Sequence, residues 1–280
     1  MKLKDRVEMF NEVVALSEKL TTYSERFTAT SVRAYHAEEV FNKLCLHLKS
    51  FQRNLYLEKE EGELVDISVL ASISRMIVEA SNAVFYFTDR GVSESEVEFR
   101  VWLSARHQDV DLQVILDKLN IKFAHIVDTS HYAIEVLENN EYYKSLTSSE
   151  QKTLMKGQKA YYRRGNRSSM NPFPKEIEEG IYKLLSNYVH SFPAGNSLYT
   201  GRATLHPLNF QNSAYIIIET ALCYSSAAIW AYVKLRWKLG KRLDDEEKQF
   251  LKNISQGTVI LHWLEKERPK YSSDPLEIRS

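Results

Sequence analysis

No glycine occurs before Gly62 and no proline before Pro172, and the nine glycines and six prolines of the 280-residue chain sit in clusters between apolar runs. Both residues break helices, glycine by its entropy and proline by its missing N–H, so the long stretches without them are free to be helical. Apolar residues recur at the helical period in Val7, Phe10, Val13, Val14 and Leu20, and again in Val40, Phe41, Leu44, Leu48 and Phe51. A break is expected near residues 28–31. Strand-like alternation, internal repeats, a Rossmann glycine pattern and a P-loop are all missing, and the reading is an all-α single helical-bundle domain of about eight helices.

Capping residues set the boundaries. Asp66 reads as the N-cap of "ISVLASISRMIVEASNAVFYF", and Ser93 with Glu96 as a capping box for a helix reaching Leu119. A shorter helix is expected over 122–137, and "TSSEQKTL" restarts the pattern. Residues 156–174 lack periodicity and read as a loop. Helices are then expected over 174–190 and 210–239, and from Asp244 to about Lys266. By region, 1–61 reads as amphipathic helices packing on the core, 62–240 as the core bundle, and 241–280 as a C-terminal helix and tail.

Apolar residues make up 44% of the chain, enough for a sizeable core, while 37 basic residues balance 37 acidic ones, so no global field draws it to nucleic acid. Cys45 and Cys223 fit no metal-ligand spacing and suit a reducing compartment. The start "MKLKDRVEMFNEVVALSEKL" has no signal-peptide core, so a cytosolic location is expected. Residues 214–233 have the length of a membrane span, but Glu219, Thr220, Ser225, Ser226 and three tyrosines favour a central buried helix, and no membrane partner is expected.

Two polar stripes stand out. Ser68, Ser72, Arg75, Glu79, Asn82 and Tyr86 repeat at steps of four and three, either as a solvated face or as the lining of an interior polar seam. Arg100, Ser104, His107 and Asp111 form a second stripe. Glu219, inside its apolar run, needs a partner, and Arg75 and Arg100 are the candidates. Ser186 and His190 close the helix that ends in "LSNYVHSFPAG". The loop carrying Lys156, Lys159, Arg163, Arg164 and Arg167 beside Tyr161 and Tyr162 suits either solvent or single-stranded RNA, the latter through phosphate attraction and stacking on the rings. The histidines show no HExxH and no Glu-x-x-His pair, and no metal or cofactor is expected.

Arg75 with Glu79, and the later Tyr182, Leu185, Ser186 and His190, resemble the signature of a bacterial all-helical family known as domain of unknown function 5677. The resemblance covers about residues 60–235 and implies a shared fold and a shared polar cluster, with no reaction attached. Arg100 and His107, with six residues between them, also resemble the Arg-x4-6-His motif of HEPN ribonucleases, dimeric helical effectors that cut RNA without metal. That likeness implies His107 as general acid or base and Arg100 as holder of the scissile phosphate. The preferred expectation is a binding or interaction module. Its seam, built from Arg75, Glu79, Ser186, His190 and Glu219, would recognise a small polar or anionic ligand, and the alternative is a HEPN-like endoribonuclease acting as a homodimer.

Overall fold

In the computed structural model, residues 3–24, 27–55, 66–121, 130–163, 168–190 and 210–266 are described, and every regular element among them is a helix. The chain runs α1 (Leu3–Ser24), α2 (Val32–Leu55), α3 (Ile67–Thr88), α4 (Glu94–Leu119), α5 (Ser130–Asn139), α6 (Glu141–Lys144) and α7 (Ser148–Met155). It continues through α8 (Lys175–Val189), α9 (Phe210–Leu235), α10 (Trp237–Gly240), α11 (Asp245–Ile254) and α12 (Thr258–Lys266).

α3 buries fifteen of its 22 residues, so it must lie between other elements rather than on a surface. It packs against α2, α9 and α8. Small residues on the facing surfaces, among them Ala71 and Ser74 on α3 and Ala221 on α9, are buried and allow close approach, and the Ser74 hydroxyl donates to the Ile217 carbonyl at 3.2 Å. Thr220 and Ser225 within α9 donate back to the carbonyls of Ile216 and Leu222, which satisfies hydroxyls that would otherwise be costly in an apolar core. Both Ile67–Thr88 and Asn212–Leu235 are long and apolar enough to cross a bilayer, and in this fold 61% and 94% of their apolar windows face the protein interior.

The N-terminal helices are walls of the same core. Phe10, Val13 and Leu20 of α1 and Phe41, Leu44 and Leu48 of α2 are fully buried in one cluster with α3 and α9, and the Phe41 ring stacks on Tyr232 at 4.0 Å. A second, smaller core lies apart. Phe99 and Leu103 of α4 meet Leu137, Tyr143, Leu146 and Leu154 there.

The caps at Asp66, Ser93, Thr147 and Asp244 stand where the sequence places them. At Ser93 only half of the expected box forms, because the Glu96 carboxylate turns to Arg100 instead of the Ser93 amide. Two long helices are also shorter than expected. The 210–239 helix breaks at Arg236, whose φ and ψ of −93° and 61° leave the helical region. The helix from Asp244 divides at Gly257, which holds a φ of +61° where an added Cβ would meet the Phe173 ring at 2.8 Å.

Candidate functional site

Glu219 does not join the α3 stripe. Its carboxylate is gripped by Arg6 of α1, with Nε on Oε1 and Nη2 on Oε2 at 2.8 Å, and both side chains are buried, so the expected partners Arg75 and Arg100 are replaced. Burial pushes the Glu219 carboxyl above its ordinary value, and the Arg6 guanidinium pulls against that shift. This pair lines its own cavity of about 240 Å³ with Met9 and Cys223.

Arg75 instead ties α3 to α8. Nε donates to Glu79 at 3.0 Å, Nη2 to the Tyr182 hydroxyl at 2.7 Å and Nη1 to the Ser186 hydroxyl at 3.5 Å, and Nη1 stands 3.3 Å from His190 Nε2. The guanidinium also lies over the Tyr182 ring at 4.8 Å. Arg75, Glu79, Ser186 and His190 thus converge as the polar stripe implies, but at the mouth of a groove. Glu79, Tyr182 and His190 are exposed, so the expected interior seam is a surface cleft.

The cleft follows the rest of the stripe. A cavity of about 510 Å³ is lined by Asn82, Tyr182, Ser186 and Glu178, and a second of about 710 Å³ by Asn82, Tyr86, Tyr161, Arg163, Asn171 and Glu178. Asn82, Glu178 and Glu179 border both, so the two cavities adjoin along a groove between α3 and α8. Glu178 is held by the Asn171 amide at 2.8 Å and the Tyr224 hydroxyl at 3.0 Å.

At the far end three guanidiniums gather at the C-terminus of α3, where unpaired carbonyls favour cations. Arg33 Nε donates to the Phe87 carbonyl and Arg100 Nη1 to the Tyr86 carbonyl, each at 2.6 Å. Arg100 also meets Glu96 at 2.6 Å and Asp89 at 3.5 Å. Arg163 lies over the Tyr86 ring at 5.3 Å. Burial, with Arg100 beside it, pushes the Arg163 guanidinium down to about 10. Its Nε and Nη2 are both buried without an acceptor among the described residues, as is Asn171 Oδ1 without a donor.

The second stripe is a fastening strip for the following segment. Ser104 donates to the Ala160 carbonyl at 3.0 Å, and His107 Nδ1 donates to the Gly157 carbonyl at 2.7 Å while Nε2 faces Asp111 at 3.3 Å. Arg100 is buried against α3, and both nitrogens of His107 have partners within the chain. Tyr161, 46% exposed, packs edge-on to Tyr86 at 5.0 Å, and the Tyr162 hydroxyl binds Glu150. Arg163 forms part of the groove wall, whereas Arg164 and Arg167 lie outside the described residues. No group of histidines, cysteines and carboxylates suited to a metal ion occurs among the described residues.

Tyr182, known from its motif, proves to be a direct partner of Arg75. Arg6, the Asn171 and Glu178 pair, and Tyr224 come from separate parts of the chain, with no spacing between those parts that would announce them. In comparisons with known proteins no family model matches this chain, and neither a curated protein nor a solved structure matches it.

Proposed function

We propose that the chain is a cytosolic binding module whose site is the groove between α3 and α8, and that its ligand is a small polar molecule rather than a nucleic acid to be cut. The observation that carries this reading is a pair of adjoining cavities beside the α3 stripe, at which Asn171 and Arg163 keep hydrogen-bonding capacity unused by the described residues. Ligand sites are concave and fix their ligands with a few convergent polar groups, which is what the groove presents. The residues resembling domain of unknown function 5677 meet at one end of it, around Arg75, which supports a shared polar cluster and names no reaction. Asn82 lines both cavities, so Asn82→Leu, which keeps the shape of the side chain, removes the amide's hydrogen-bonding groups from the groove. A polar-metabolite thermal-shift screen should find compounds that raise the melting temperature of the wild type and not of Asn82→Leu. Equal shifts in both proteins, or no shift with any compound, would refute the reading.

A further inference from the structure

The unpartnered nitrogens of Arg163 are not scattered. Nε and Nη2 share one edge of the guanidinium, the edge that takes a carboxylate or phosphate with two parallel hydrogen bonds. Nearby carboxylates do not supply that partner, because Asp89 and Glu96 are bonded to Arg100. Counting the groups at the end of α3, Arg33, Arg100 and Arg163 face only Asp89 and Glu96, and Arg90 adds further positive charge. Four positive charges against two leave two negative charges lacking around the half-buried Arg163 guanidinium. The opposite wall of the same cavity carries Glu178 and Glu179 of α8, with Lys175 as its one cation among the described lining residues.

The geometry points to an oxyanion ligand that carries hydroxyl or amino donors, its anionic end taken edge-on by Arg163 and its donor end set against Glu178 and Glu179. This rests on the groove being the binding site and adds the chemistry of what it accepts. The edge is buried beside the Tyr86 ring, so binding requires the Arg163 side chain to turn it toward the cavity that the residue lines. The oxyanion then replaces nothing, because that edge makes no hydrogen bond to the protein, and Asn171 Oδ1 offers an unused acceptor to a ligand hydroxyl. Carboxylates and phosphates share this chemistry, and the probes separate them.

Calorimetry on the full chain at constant ionic strength, with ribose, ribose 5-phosphate and gluconate as probes, tests the assignment. At least one anionic probe should bind tenfold or more tightly than ribose, ribose 5-phosphate marking a phosphate site and gluconate a carboxylate site. Arg163→Gln should erase that preference, and Arg163→Lys, which keeps the charge but loses the two-point edge, should retain only part of it. Retention of the full preference in Arg163→Gln overturns the assignment, as does binding of none of the three probes. Equal affinity for ribose and both anions, lost in Asn82→Leu, overturns the oxyanion while leaving the groove intact as a site.

Discussion

Replacing Arg6 with methionine leaves the Glu219 carboxylate buried with no cation. The two side chains are 3% and 0% exposed, so water cannot compensate. Removing one partner of such a pair costs about 3–5 kcal/mol, and a unit charge pair at contact in an effective dielectric near 20 gives a similar ~4 kcal/mol. The loss should depend on pH with a definite sign. Burial already holds the native carboxyl above its ordinary 4.5, so the folded state binds this proton more tightly than the unfolded state. Stability therefore falls as pH rises from about 4.5 through the raised native value, and without Arg6 that native value climbs and the window widens. Urea unfolding followed by far-UV circular dichroism at pH 5 and pH 8 reads this directly. Arg6→Met should lose the full amount at pH 8 and visibly less at pH 5, while Arg6→Met/Glu219→Leu should recover most of it because no charge remains to bury. A loss equal at both pH values, or a double variant no more stable than the single one, would refute the reasoning.

Arg100→Met should cost several times more than Arg75→Met in the same unfolding assay. Arg100 is buried with two carboxylates and a helix carbonyl, whereas Arg75 sits at a solvent-facing mouth where such contacts are worth about 1 kcal/mol or less. Gly157→Ala should lower stability by about 1–3 kcal/mol and weaken ligand binding in the groove, since φ is +68° there and the new methyl would stand 2.5 Å from Val110 Cγ2. Burial pushes the Cys45 thiol up to about 12 and the Cys223 thiol upward as well, so neither should react with iodoacetamide at pH 8.5 until urea unfolds the chain. Labelling of the native protein at the rate of free cysteine would contradict that burial.

Helix class and most helix starts could be read from the chain because capping and period are local properties. Asp66, Thr147 and Asp244 make their cap bonds within three residues, and no distant element is needed to see them. The breaks at Arg236 and Gly257 depend on what packs behind them. The α3 stripe was legible as a face, but its partner was not: whether such a face meets solvent or a neighbour depends on the register of α8. The Arg6 pairing left one trace. Arg6 precedes Phe10, Val13, Ser17 and Leu20 at steps of four, three, four and three, so a cation sat on the buried face of α1 in plain view. The HEPN-like spacing, too, says nothing of what its face meets. Six intervening residues put Arg100 and His107 on one face of α4, and that face is turned to the chain's own 157–163 segment.

Tyr162 packs on the smaller cluster around Phe99, whereas Tyr161 and Arg163 beside it rest on Tyr86 of the large one, to which the helices of Asn82 and Glu178 also belong. The cleft is thus framed by two scaffolds with separate interiors. Substitutions at Leu154 or Tyr143 can shift one jaw and leave the other where it was, so selectivity can drift through residues that never touch a guest, while the main bundle keeps its shape.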